Sequence, residues 1–161
     1  MGIGAGCAGL SVGISAATEG EGVSVGVVCK SLLGKAHTVM AEGGIAASLS
    51  NVDDRDNWKV HFSDTMRGGK FLNNWRMAEL HAKEAPARVL ELEAWGALFD
   101  RTPDGRILQR YFGGHKDPRL AHAGARPGLA LHRTLQAPAS QQHSDVHTAC
   151  TVPTLPTAVD R

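Results

Sequence analysis

Six residues near the N-terminus, Gly4-Ala5-Gly6-Cys7-Ala8-Gly9, have the spacing G-x-G-x-x-G and constrain this chain more than anything after them. The first glycine turns a strand into a helix, and the second lets backbone N–H groups close on a pyrophosphate. The third lets helix and strand pack tightly. A helix that starts there adds about +0.5 of an elementary charge at its N-terminus, where a diphosphate would sit. Leu10 to Thr18 reads as that helix, and Val23-Ser-Val-Gly-Val-Val-Cys29 as the buried strand after it. In a chain with 19 glycines a simple tight turn could give the same spacing, so the strand that follows the helix carries the assignment. The fold class is therefore α/β, a Rossmann-like βαβ unit that binds a dinucleotide.

Two departures stand beside this. Only Met1-Gly2-Ile3 precede the fingerprint, where a first strand of about five or six residues is expected. The N-terminus accordingly reads as clipped, with the central strand of the sheet mostly absent. The acidic residue that usually ends the second strand and binds ribose hydroxyls is replaced by Cys29-Lys30-Ser31, which weighs against a generic NAD site.

About twenty residues past the fingerprint, where the second strand of such a unit ends, runs the loop from Lys30 to Gly44. A dinucleotide passes over this loop. His37 lies near its middle, and Gly43-Gly44 near its end let backbone approach a flat ring. Lys30 and Lys35 read either as solvated loop charges or as groups that stabilise a pyrophosphate or an anionic ring.

Farther along, Ile45 to Ser50 is small and apolar, and Asn51 to Asp56 is a polar turn. Asn57 to Arg67 carries Trp58, Phe62 and Thr65/Met66 at helical spacing and ends at Gly68-Gly69. Asn73 to Trp95 is the longest helical tract, with Met77, Leu80, Val89, Leu90 and Leu92 as core positions and Pro86 dividing it in two. The Trp and Met residues of this region read as core. Phe99 to Gln109 reads as a hairpin around Pro103-Asp104-Gly105, and Asp53, Asp54 and Asp104 as turn acids. Pro127 opens a helix over Gly128 to Leu135. The tail from Ala137 holds three of the seven prolines and one candidate strand, Asp145 to Val152, before Pro153 and Pro156.

Composition narrows the function classes. A net charge of +1 and 5% aromatic residues give no case for a nucleic acid partner. No apolar run approaches the ~20 residues that span a bilayer, and no signal peptide is read. Cys7, Cys29 and Cys150 lie far apart, which suits a reducing cytoplasm and gives no metal spacing. His115 and His122 lack a third ligand, so no metal site is expected. No Gly-x-Ser-x-Gly elbow occurs, so there is no nucleophilic triad, and no residue is assigned as catalytic.

With the fingerprint, His37-Thr38-Val39-Met40-Ala41-Glu42-Gly43-Gly44 and Gln109-Arg110-Tyr111-Phe112-Gly113-Gly114, the chain resembles the flavoprotein subunit of succinate dehydrogenase and fumarate reductase. The resemblance runs from Gly4 to about Gln136. It implies that FAD is carried covalently on His37, whose ring must be deprotonated to attack an electrophilic flavin methyl carbon. The cofactor-binding residues it implies are Gly4, Ala5, Gly6, Cys7, Ala8 and Gly9, then Cys29, Lys30 and Ser31, then Lys35, Ala36, His37, Thr38, Met40, Ala41, Gly43 and Gly44. Cys29 stands where the family commonly has a serine, and Glu42 where many relatives have glutamine.

In the family, hydride passes between a dicarboxylate, succinate or fumarate, and the flavin. Electrons then go to an iron–sulfur subunit and, with a membrane-anchor subunit, to a quinone. The resemblance thus implies a cytoplasmic protein, peripheral on the inner face of the cell membrane through its partners and not itself inserted. The family's proton-shuttling arginine, its carboxylate clamp and its capping domain belong to later sequence. The chain therefore reads as a truncated FAD-binding domain with helical insertions and a β-hairpin, expected not to oxidise succinate alone. An L-aspartate oxidase-like protein with non-covalent FAD is the other oxidoreductase reading, and His37-Thr38-Val39 argues against it. An incompetent truncated chain is the third.

Overall fold

The computed structural model describes residues 2–20, 23–124, 127–141, 145–148 and 150, and in it the glycine turn joins a strand to a helix. Strand β1 (Gly2–Ile3) runs into helix α1 (Cys7–Glu19), and the chain returns through β2 (Gly26–Val28). β1 and β2 are parallel, with Gly2 opposite Val27 and Ile3 opposite Val28. A third parallel strand, Asp145–His147, pairs with the other edge of β2. β2 is thus the middle strand of three, with alternate residues Val25, Val27 and Cys29 buried, whereas Val23 at the start of the expected strand is exposed.

Glycine is required twice in this unit. A Cβ on Gly9 would lie 1.8 Å from the Gly4 carbonyl oxygen, and Gly4 itself has φ +105°. On the far face of α1, Leu10 and Ile14 pack against Leu135 and Ala139. Leu10 and Leu135 are each 1% exposed, and burying side chains of this size contributes about 1.5–3 kcal/mol apiece.

A second, antiparallel sheet lies beyond the Lys30–Gly44 loop. It comprises β3 (Ile45–Ala46), β4 (Gln109–Arg110) and β5 (Leu120–Ala121), with β5 in the middle. Strand Asp145–His147 of the parallel sheet is β6. The expected hairpin over Phe99 to Gln109 is present in short form, with an antiparallel bridge between Arg101 and Ile107, the Thr102 N–H bonded to the Arg106 carbonyl and the Leu108 N–H to the Asp100 carbonyl. Asp53 and Asp104 are turn acids, paired with Arg55 and Arg106.

Two helices precede β4. α2 (Trp58–Gly68) is capped by Asn57, whose side chain accepts from the Lys59 and Val60 N–H groups. α3 (Trp75–Ala94) is capped the same way by Asn74. Pro86 does not divide α3, contrary to the sequence expectation. It removes one ladder donor, yet good helix formers flank it and a buried face, Ala78, Ala82, Ala85 and Val89, holds both halves.

That face also corrects the expected core. Met77, Leu80 and Leu90 are largely exposed, whereas Val89 is fully buried and Leu92 packs against the core partly buried. α3 meets its neighbours through alanines, so close approach of backbone took precedence over side-chain size. Trp75 is exposed as well. α4 (Pro127–Gln141) starts at Pro127 as expected and runs on past Leu135 through Pro138. Of the expected strand Asp145 to Val152, the described strand is Asp145–His147; residue 149 and those from 151 onward, Pro153 and Pro156 among them, lie outside the described residues.

Candidate functional site

The fingerprint turn and the histidine loop, 31 residues apart, touch. The N–H of Cys7, the first residue of α1, donates to Thr38 Oγ1 at 3.1 Å. This satisfies one of the N–H groups that a helix start leaves without an intrahelical partner. A Cβ on Gly6 would come within 3.2 Å of the same oxygen, so the second glycine lets the loop lie close over the turn. Burial pushes the Cys7 thiol up from its ordinary range against the pull of Thr38, which keeps it protonated.

His37–Met40 forms a single 3₁₀ turn with His37 and Met40 both exposed. The loop then meets α4: the Gly128 N–H donates to the Ala41 carbonyl at 3.1 Å. A Cβ on Gly128 would fall 2.2 Å from the Thr38 carbonyl oxygen. Gly43 and Gly44 have φ of +94° and +122°, and a side chain on Gly44 would strike the Ala121 carbonyl of β5.

The Gln109–Gly114 segment arrives on the other side of the glycine pair. Arg110 Nη2 donates to the Gly43 carbonyl at 3.1 Å, and the Phe112 ring lies 3.3 Å from where a Gly43 Cβ would be. Buried Gln109 steadies β4 by donating to the Ala47 carbonyl and accepting from the Asn51 N–H. Cys7, Thr38, Ala41 and Gly44 line a common cavity of about 380 Å³, with Trp95 and Leu131 on its wall.

Lys30, Ser31 and Lys35 stay apart from that cavity, exposed along the loop. Cys29 is buried at the end of β2, its thiol bonded to the Ser31 carbonyl at 3.0 Å.

The sequence reading missed a buried polar cluster behind β5. Arg119, fully buried, reaches Asp56 at 2.8 Å, Asp64 at 3.0 Å and Asp117 at 3.7 Å. The imidazoles of His81 and His115 lie edge-on to buried His61. Burial, together with nearby Arg119, His81 and His115, pushes His61 down to about 4. His115 is lowered by the same burial, and burial raises Asp56 despite the Arg119 guanidinium. The only sequence signal was His61 and Asp64 one turn apart inside a weak apolar stripe. His132 of α4, 1% exposed and 2.8 Å from the Ala5 carbonyl oxygen, was not anticipated either.

The family model described as FAD binding domain matches residues 3–159. The chain is 46% identical over 121 residues to an uncharacterised FAD-dependent oxidoreductase of Methanocaldococcus jannaschii, covering 74% of this chain and 22% of that protein. It is 38% identical over 146 residues to the succinate dehydrogenase flavoprotein subunit of Rickettsia felis, covering 91% and 23%. Among solved structures, Mycobacterium smegmatis Sdh1 in complex with UQ1 superposes with a TM-score of 0.79 at 68% identity, covering 84% and 22%. The chain spans less than a quarter of the length of each of these relatives.

Proposed function

Because the chain belongs to the FAD binding domain family, we propose that it is the FAD-holding part of a succinate dehydrogenase or fumarate reductase flavoprotein subunit. The observation that carries this reading is the bond from Cys7 N–H to Thr38 Oγ1, which ties the phosphate-binding turn to the loop bearing His37. Bound FAD would supply two-electron chemistry at its flavin ring.

The residues present fit that group. In the turn Gly4-Ala5-Gly6-Cys7-Ala8-Gly9 the N–H groups of Gly4 and Cys7 bond Val28 and Thr38, the Gly6 N–H is left for the pyrophosphate, and Gly6 lets the Thr38 loop lie close. Lys30 and Ser31 attend the adenosine half, while Cys29 closes the sheet beneath them. Thr38 and Ala41 border the ring from the cavity, Ala36 and Met40 flank them, Lys35 lies exposed farther along the loop, and exposed His37 is the covalent attachment point. Gly43 and Gly44, held by Arg110 and β5, bring main chain up to the ring and to a dicarboxylate beside it.

In this reading, succinate or fumarate is the substrate, and electrons leave through an iron–sulfur subunit and a membrane-anchor subunit. The protein is then peripheral on the inner, cytoplasmic face of the membrane. Similarity to succinate dehydrogenase flavoprotein subunits supports this assembly. No helix among the described residues is long and apolar enough to cross a membrane. The proton-transferring group, the carboxylate clamp and a capping domain are assigned to none of these residues.

The test is titration of the flavin-free chain with FAD, followed by visible absorbance. Saturable binding is expected, weakened about tenfold in Thr38→Val, the equivalent of about 1.4 kcal/mol. A wild-type chain that takes up no FAD would contradict the reading.

A further inference from the structure

His132 sits on the face of α4 that backs onto the fingerprint turn, and its imidazole is 1% exposed. Nε2 lies 2.8 Å from the Ala5 carbonyl oxygen. A carbonyl only accepts, so Nε2 carries the proton and donates. The Ala5–Gly6 peptide is planar and trans, which sets the Gly6 N–H opposite the Ala5 carbonyl. With that carbonyl drawn back toward α4, the Gly6 N–H is turned outward, away from α4. It forms no hydrogen bond to any described residue, while the next N–H, that of Cys7, is taken by Thr38.

We propose that His132 is a positioning residue for the phosphate-binding turn: holding the Ala5 carbonyl from behind, it aims the Gly6 N–H at a phosphate oxygen of a nucleoside diphosphate. This rests on the reading that the Gly4–Gly9 turn takes a pyrophosphate. A flexible turn would spend part of its time with the Ala5–Gly6 peptide flipped, presenting a carbonyl oxygen to the anion. The buried donor opposes that arrangement, because flipping would turn the Gly6 N–H against the His132 N–H, two donors with no acceptor between them. The preorganised N–H then needs no reorientation when the anion arrives.

The probe is ADP, which carries the diphosphate without the flavin. Its affinity is measured calorimetrically on the full, flavin-free chain for wild type, His132→Leu and His132→Gln. ADP contacts at the turn are read from amide NMR shifts. Wild type is expected to bind ADP with a downfield shift of the Gly6 amide proton. His132→Leu is expected to bind about tenfold more weakly and lose that shift, and His132→Gln, which keeps a donor, to return to within about threefold of wild type.

Wild-type affinity in a folded His132→Leu chain would overturn the proposal, as would equal weakness of both variants. Should His132→Leu not fold, the wild-type spectrum decides, and a Gly6 amide unmoved by bound ADP overturns the proposal. Absence of ADP binding by wild type would overturn the pyrophosphate reading and this inference with it. Binding that is indifferent to His132 overturns the inference alone.

Discussion

The guanidinium of Arg119 and the carboxylate of Asp56 meet at 2.8 Å with at most 1% of either side chain exposed. Arg119 also binds Asp64 of α2, and its own carbonyl accepts the Ala47 N–H just past β3. One residue thus joins the helical layer to the sheet that seats Gly43 and Gly44. Replacing Arg119 with methionine would leave buried Asp56 and Asp117 without the cation they pair with, and Asp64 with Arg67 alone. The expected cost is about 3–5 kcal/mol, read as a lower urea midpoint. A wild-type midpoint in Arg119→Met would show that the cluster is not a structural anchor.

The histidines beside that arginine give the fold a pH dependence of definite sign. His61 titrates near 4 in the folded chain and near its ordinary 6.5 when unfolded. Between those values the unfolded chain binds the extra proton, so this contribution to stability is complete above about 6.5 and is lost as pH falls toward 4. His115, also lowered, acts in the same direction. Asp56, raised by burial, acts oppositely just above its ordinary 3.8. Urea midpoints measured from pH 7 down to 4.5 should fall in wild type and fall less steeply in His61→Gln. Parallel curves would contradict the assignment.

Glycines in this chain are not equivalent, and substitution separates them. Gly9→Ala places a methyl 1.8 Å from the Gly4 carbonyl oxygen, a collision only backbone movement can relieve. Gly68→Ala, at the end of α2, meets nothing within 4 Å and gains helix propensity of up to about 1 kcal/mol. Circular dichroism melts should show Gly9→Ala strongly destabilised and Gly68→Ala unchanged or more stable. A harmless Gly9→Ala would mean the turn does not pack as described.

What the sequence made legible follows from how local each signal is. The glycine turn, α1, β2, the Asn57-capped α2 and the start of α4 at Pro127 are each set by residues within a few positions of one another. The buried face of α3 was misread because periodicity marks stripes without saying which neighbour comes close, and here the alanine stripe packs inward. The continuity of α3 through Pro86 was misread because tertiary packing outweighed a local breaker. Arg119 with Asp56 and Asp64, and His132 with Ala5, pair residues 55 to 127 positions apart. No local pattern encodes such a partner, so a buried charged residue looks in sequence like a solvated one.

The most direct test of the account is flavin fluorescence of the FAD-reconstituted chain after full denaturation on a gel, run beside His37→Ser. A fluorescent band is expected for wild type and none for His37→Ser, which would establish His37 as the covalent anchor. Flavin that binds the native chain but leaves both bands dark, or that stays with His37→Ser, would contradict it.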